Sequence, residues 1–304
     1  MTAARERPHM LEVAPSVHAY IQPDGGWCLN NAGLIVGEDC TVLIDTAATE
    51  RRTRALDAAV RRLAPQGPDL LVNTHFHGDH TFGNAYFKPR ATIIAHENCA
   101  RDQLAAGPAL RELWPEVDWG RTPITAPDVT YRGEAVLHPG GHRVELFHPG
   151  PAHTAGDTVV WLPDSGVLFT GDVVWSATTP FCLMGSITGS LEVIGRLREL
   201  RPRVVVPGHG PVGGPELFDQ TESYLTWLLE VAEEGVRAGR PALETARCAD
   251  LGRFAALLDS ERLVGNLHRA YAELAGLPPG APIDVGSAFA EMVEFHGALP
   301  ACHA

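Results

Sequence analysis

The sequence predicts an α/β fold in which sheets are layered with helices, followed by a mainly helical C-terminal region. Three observations carry this reading. Short runs rich in branched residues alternate with apolar stripes at helical spacing, a unit of helix, strand and histidine occurs twice, and only helical stripes follow His209.

The first unit begins with Cys40 to Asp45 (CTVLID) and Asp69 to Thr74 (DLLVNT), both short enough and branched enough for buried strands. Between them Leu56, Ala59, Val60 and Leu63 recur at helical spacing, and Pro65 with Gly67 and Pro68 ends that helix. Directly after the second strand comes NTHFHGDHTFGN, which places His75, His77, Asp79 and His80 in one turn. The arrangement returns where Leu191, Ile194, Leu197 and Leu200 form a second stripe ahead of RVVVP (Arg203 to Pro207) and Gly208-His209-Gly210. Between the units, ATIIAH (Ala91 to His96), VELFHPG (Val144 to Gly150), TVVWLP (Thr158 to Pro163) and GVLFTGD (Gly166 to Asp172) read as strands divided by Gly and Pro turns. Helices are expected beyond them at Leu225, Leu228, Leu229 and Ala232, at Leu263, Leu267, Tyr271 and Leu274, and over Ser287 to Leu299. A catalytic domain over 1–240 and a helical extension over 241–304 packed on it follow from this division.

Composition narrows the function classes. With 304 residues and 45% hydrophobic content, the chain can bury a sizeable core. No window approaches the roughly 18 unbroken apolar residues of a membrane span, and Met1 to Arg7 lack the apolar stretch of a secretory leader. A soluble cytoplasmic protein is expected. The six cysteines contain no Cys-x-x-Cys pair, which argues against a disulfide framework and a thiolate zinc site. A net charge of −13 disfavours nucleic acid, since phosphate binding relies on Lys and Arg.

Imidazoles and carboxylates without thiolates suit a borderline metal such as zinc at a site that keeps a position open for water. His75, His77, Asp79 and His80 are too close in sequence to share one tetrahedral ion, but one turn can serve two neighbouring ions. Further ligands are available at strand ends: His153 in GPAHTAGD, Asp172 in LFTGD and His209 in VPGHG. Gly78, Gly83, Gly171 and Gly208 would let backbone pass close beside them.

In this order, these motifs strongly resemble the metallo-β-lactamase superfamily over roughly the first 215 residues. The resemblance implies an αββα sandwich of two mixed sheets flanked by helices. It also implies two zinc ions, one on His75, His77 and His153 and the other on Asp79, His80 and His209, with Asp172 bridging. Asp79 and Asp172 become the catalytic carboxylates beside an activated water. True zinc β-lactamases typically lack the bridging carboxylate, so Asp172 argues against a β-lactam substrate. Hydrolases of thioesters, lactones and phosphoesters share it.

The segments around the ligands choose among these. PDGGWCLNNAGLIVG (Pro23 to Gly37) carries Trp27 at the expected tip of a flap, and Trp114, Trp119, Trp175, Phe181 and Met184 are candidates to line a wide apolar cleft. His268 is a further substrate-binding candidate, whereas His96, His148 and the remaining isolated histidines read as structural and Cys302-His303 as a free tail. Along its full length, including NLHRAY and LPACHA, the sequence resembles the second-ring cyclase/thioesterases of aromatic polyketide pathways of the actinorhodin type. That resemblance implies an acyl carrier protein bearing a polyketide intermediate as partner. Arginines cluster at Arg51, Arg52, Arg54, Arg61 and Arg62 and at Arg196, Arg198, Arg201 and Arg203, which are candidate docking patches on an acidic chain or simply solvated faces. The alternatives are a general hydrolase of a thioester or lactone and, more distantly, a non-enzymatic metal-binding or carrier-docking protein.

Overall fold

The structure is a computed structural model that describes residues 7–304; Met1 to Glu6, most of the stretch read above for a leader, lie outside the described residues. Seven strands form the first sheet in sequence order: β1 (His9–Ala14), β2 (Val17–Ile21), β3 (Ala32–Val36), β4 (Thr41–Ile44), β5 (Leu70–Val72), β6 (Thr92–His96) and β7 (Val129–Tyr131). Pairing is antiparallel from β1 to β4 and parallel from β4 to β7. The second sheet holds β8 (Glu134–Leu137), β9 (Val144–Phe147), β10 (Val159–Leu162), β11 (Val167–Trp175) and β12 (Val204–His209), antiparallel except for the parallel pair β11 and β12.

Strand periodicity builds the layers. Ile35, Val42, Ile44, Val72 and Ile94 of the first sheet meet Leu146, Val160, Val167, Phe169 and Val206 of the second in one buried cluster. Alternate residues Leu34, Leu43, Leu71 and Ile93 face the other way and pack with Leu56, Ala59 and Val60 of helix α1 (Glu50–Leu63). Short helices α2 (Gly78–Thr81), α3 (Asn84–Phe87), α4 (Glu97–Ala106) and α5 (Ala109–Leu113) follow β5 and β6. On the second sheet's outer side, Leu168 and Val205 join Val193, Ile194 and Leu197 of α6 (Ile187–Glu199) and Leu225 and Leu228 of α7 (Glu216–Arg237). The result is helix, sheet, sheet, helix, the αββα sandwich.

The twice-used unit has a topological cause. Parallel neighbours need a crossover, and α1 carries the chain from β4 to β5 as α6 carries it from β11 to β12. Both crossovers start at a side-chain cap: Thr49 accepts from Arg52 N, and Ser186 accepts from Gly189 N at 2.8 Å. The C-terminal helices α8 (Ala242–Cys248), α9 (Arg262–Leu274) and α10 (Val285–His296) pack on α7 and on one another, and their apolar residues belong to the same buried cluster as Trp27 and Trp175. Among the described residues no helix is long and apolar enough to cross a membrane.

Strands β1 to β3 were not singled out from sequence because His18 and Gly33 interrupt their apolar runs, while β7 and β8 are short edge segments with exposed residues. Gly33 has a specific packing reason. A Cβ there would lie 2.6 Å from the Phe169 ring of the opposite sheet, so glycine lets that ring fill the interlayer core. Gly33→Ala is expected to lower unfolding free energy by about 1–3 kcal/mol through overpacking, measured by urea denaturation, with the metal content of the folded protein unchanged.

Candidate metal centre

The candidate ligands lie at or just beyond strands that the two crossovers bring side by side, except His153, which sits in the turn between β9 and β10. Asp45 follows β4, His75 to His80 follow β5, Asp172 sits inside β11 and His209 closes β12. Side-chain nitrogens and oxygens of His75, His77, His153 and Asp172 lie within 4.8 Å of one another, as do those of Asp79, His80 and His209. Asp172 of the first group also reaches the second: its carboxylate is 3.4 Å from His153 Nε2, 3.2 Å from His80 Nε2 and 3.4 Å from His209 Nε2. The closest approach for Asp79 is 3.2 Å, from Oδ2 to His209 Nε2.

Outer contacts orient the rings. Nδ1 of His80 meets Asp45 Oδ2 at 2.8 Å, Nδ1 of His209 meets Gly25 O at 2.9 Å, Nδ1 of His153 meets Phe181 O at 2.5 Å and Nδ1 of His75 meets Thr74 Oγ1 at 3.0 Å. With Nδ1 engaged, Nε2 of each ring is left to face the cluster, the usual arrangement of a ligating histidine. His77 differs, because its Nδ1 is the atom 2.7 Å from His153 Nε2. Asp45 is itself fixed by Thr74 N at 2.7 Å and Thr74 Oγ1 at 2.6 Å. Asp157 accepts from Thr154 N, Thr154 Oγ1 and Ala152 N and so shapes the turn that carries His153.

Two observations show that these residues fit bound divalent metal. Nε2 of His75, His77 and His80 and Oδ1 of Asp172 are buried without a hydrogen-bond partner among the described residues, a costly state for four polar atoms. Their charge states agree. Burial, then the neighbouring His153, holds the His77 imidazole down at about 3, and burial with His80 holds His75 well below the ordinary range. These rings are neutral, the form that ligates. Burial opposes charge on Asp79 and Asp172 too, but His80 and His209 outweigh it and keep both carboxyls below the usual carboxylate range. In return, and against burial, Asp172 lifts His80 well above its ordinary value and His209 to about 9. Two buried carboxylates thus hold protons on neighbouring rings, and bound cations would replace those protons.

Gly208 makes room for the central carboxylate: a Cβ there would fall 1.8 Å from Asp172 Oδ1. Beside the cluster lies a chamber with about 80 Å³ of open volume, walled by Trp27, Trp175, Phe181, Arg262 and Phe289 and reaching His77, Asp79, His153, Asp172 and His209. An adjoining apolar groove of about 430 Å³, lined by Phe76, Phe82, Gln103 and Gly286 among others, shares His77, Leu110, Leu113, Met184, Val285 and Phe289 with the chamber.

Several sequence expectations change here. Trp27 lines the chamber as expected but is buried: its Nε1 donates to Glu261 Oε1 at 2.6 Å and its ring packs against Trp114, Phe181 and Phe289. Trp114 and Trp119 serve the core, donating to Pro300 O and Trp114 O, and neither lines the chamber. The wide cleft is instead a narrow chamber with a groove beside it. His268 lines neither space; its Nε2 lies 2.8 Å from Glu291 Oε2 on α10. The Cys302-His303 tail is docked rather than free, with His303 O accepting from Arg52 and His303 N lying 3.4 Å from Trp27 O. His96 and His148 stack on each other at 4.2 Å, away from the cluster. Sequence reading assigned no role to Asp45, Asp157, Glu261 or Arg262. The first two carry a signal, an Asp closing a strand and an Asp four residues past His153, whereas nothing local distinguishes Glu261 or Arg262 from surface charges.

The fold and the ligand groups together define a metallo-hydrolase. A sequence profile of the metallo-β-lactamase superfamily matches residues 25–209, more than half of the chain, and the chain belongs to that superfamily. It is 27% identical over 213 residues to the metallo-β-lactamase type 2 of Bacillus sp. (strain 170), covering 67% of this chain and 76% of that one. It is 26% identical over 227 residues to acyl-coenzyme A thioesterase MBLAC2 of Bos taurus, covering 64% and 78%. A solved metallo-β-lactamase from Pontibacter korlensis shares the fold with a TM-score of 0.60 and 24% identity, over 72% of this chain and 99% of that one.

The purified protein is expected to hold close to two zinc-like ions per chain by elemental analysis. Asp172→Ala, which removes the shared carboxylate, and Gly208→Ala, which displaces it, should each lower metal affinity by about 10-fold or more. A fully loaded, fully active Asp172→Ala protein would contradict this assignment.

Proposed function

We propose that the protein is a dinuclear-metal cyclase/thioesterase acting on an aromatic polyketide carried by an acyl carrier protein. It closes the second ring and releases the bicyclic acid. The observation that carries this reading is the chamber joined to the groove through His77: a small space for reacting carbonyls opens onto a larger apolar one that suits an aromatic body. The likeness to an acyl-coenzyme A thioesterase supports the thioester part.

Held by His75, His77 and His153 and by Asp79, His80 and His209, with Asp172 shared, two zinc or other divalent ions would supply an activated water and an electrophile for carbonyl oxygens. The chain's own residues do the remaining work. Asp79 reaches the chamber with its carboxylate kept ionised by His80 and His209, so it can accept a hydrogen bond from the attacking water and orient it. Trp27, Trp175 and Phe181 fix the fold of the chain, which decides the carbonyl carbon the methylene carbon attacks. In ring closure a carbon–carbon bond forms, and water is lost as the ring becomes aromatic. In release, water adds to the thioester carbonyl and the carbon–sulfur bond breaks, giving the acid and the carrier thiol. A simpler thioester or lactone hydrolase is the second reading, favoured by the small volume of the chamber.

The arginine clusters are the proposed contact with an acidic carrier. Much of their charge is locally paired: Arg54 with Glu50, Arg61 with Asp57, and Arg198 with Asp219 and Glu222, while Arg52 is turned inward to Gln22 and the tail. Charge reversal at Arg51 and Arg62, or at Arg196 and Arg201, is expected to raise KM for a carrier-bound substrate at one cluster and to spare a small free thioester. Equal effects on both substrates at both clusters would remove the docking idea.

Incubation with a carrier-bound, first-ring-closed intermediate, followed by product identification, tests the main reading. Trp27→Ala, Trp175→Ala and Phe181→Ala should each divert more chain into wrongly closed shunt products than they cost in hydrolysis of a short thioester. If wild type only hydrolyses the thioester and the product ratios ignore these substitutions, the cyclase reading falls and the thioesterase reading stands alone.

A further inference from the structure

Two residues that line the chamber carry a buried N–H with no acceptor among the described residues. Trp175 is 4% exposed and Arg262 1% exposed, both line the chamber, and Nε1 of the one and Nε of the other lack a hydrogen-bond partner among the described residues. Their neighbours show how unusual this is: Trp27, Trp114 and Trp119 all place their indole N–H on an oxygen. A buried donor is normally satisfied, and an exception next to a reactive centre calls for an acceptor that arrives with the substrate.

Both groups are held firmly in place. The Trp175 ring stacks on the His209 ring at 4.9 Å and 14°. The Arg262 guanidinium carbon lies 4.3 Å from the Trp27 ring centre and 4.7 Å from that of Trp175. Nη1 of Arg262 donates to Thr179 O at 2.9 Å, and Nη2 is 2.8 Å from Asp259 Oδ2. The Nη groups are thus committed, the ring faces balance the charge, and Nε is left over on a guanidinium that packs against the Trp175 ring, whose own N–H is also unpartnered. Arg262 lies in α9, outside the residues 25–209 that match the superfamily, so this feature belongs to the chain's own C-terminal helices.

We propose that Trp175 Nε1 and Arg262 Nε bind a second oxygen of the acyl group, so that the chamber selects acyl groups bearing a 3-oxo or enolate oxygen over plain alkyl ones. Trp175 and Arg262 are specificity-determining residues on this view. The proposal rests on the acyl-substrate reading above and narrows it to a chemical class. A site built to donate to an oxygen discriminates strongly against the analogue that lacks it, because the donors then stay buried and unpaired.

The test uses two slowly reacting probes that differ only in that oxygen, 3-oxobutanamide and butanamide, titrated into the zinc-loaded protein by ligand-observed NMR. Wild type is expected to bind the 3-oxo amide about tenfold or more tightly. In Trp175→Phe, which keeps the ring against His209 and Arg262 but loses the N–H, the ratio should collapse towards one. Arg262→Lys, which keeps the charge but not Nε, should reduce it too. Metal content and thermal unfolding are measured on each variant, and the ratio is read on whichever stays folded and loaded. No preference in wild type, binding of neither amide, or a preference undiminished in the loaded variants overturns the proposal. A wild type that prefers the 3-oxo amide yet cleaves no thioester leaves this oxygen site standing and removes the proposed function instead.

Discussion

Two carboxylates and five imidazoles must be kept within ligand distance of one another in the interior, where unpaired charge is expensive. That constraint shapes the rest of the structure. Each strand that ends at the cluster is central in its sheet or fed by a crossover helix, so its backbone is fixed by pairing before the side chains are placed. Four of the five rings spend Nδ1 on a protein oxygen, which sets the ring plane and leaves the other nitrogen for the centre. Asp172 then ties the halves together, because its two oxygens are near rings from β5's turn, from the His153 turn and from β12. Gly208 is small for this reason: the strand that brings His209 must pass against that carboxylate.

Fold and ligands were legible in the sequence to the extent that they rest on local pattern. Branched strands followed by histidines gave β4, β5, β11 and β12, and the stripes of α1 and α6 gave the two crossovers. The ligand motifs could be read because a metal site needs a few residue types at strand ends. Strands β1 to β3 were not, since a strand buried on both faces that must also accommodate Phe169 carries Gly33 where pattern expects a branched residue. The contacts that bury Trp27 were hidden for a different reason. A glycine-rich turn carries no sign of burial, and the hydrogen bond to Glu261 and the edge-to-face contacts with Phe181 and Phe289 depend on partners more than a hundred and fifty residues away. Contacts of that range have no signature in a local window. His268 shows the converse, a histidine beside an apolar stripe whose partner, Glu291, lies on the next helix.

The remaining asymmetry is between the centre and its surroundings. Residues that could hold metals come from the part of the chain that matches the superfamily, and the same chemistry, activated water beside a polarised carbonyl, serves many substrates. The walls come partly from elsewhere. Arg262 on α9 and Val285 and Phe289 on α10 close the chamber and the groove, and Glu261 pins the Trp27 turn over them. Helices that follow the superfamily-matching segment therefore supply part of the chamber's wall, and they do so by packing into the same buried cluster as Trp175, Phe181 and Leu183. A change in α9 or α10 alters the chamber's shape and donors without touching a ligand, whereas a change in β11 or β12 disturbs the ligands first. The candidate ligands and part of the chamber wall are in this way carried by different segments of one core.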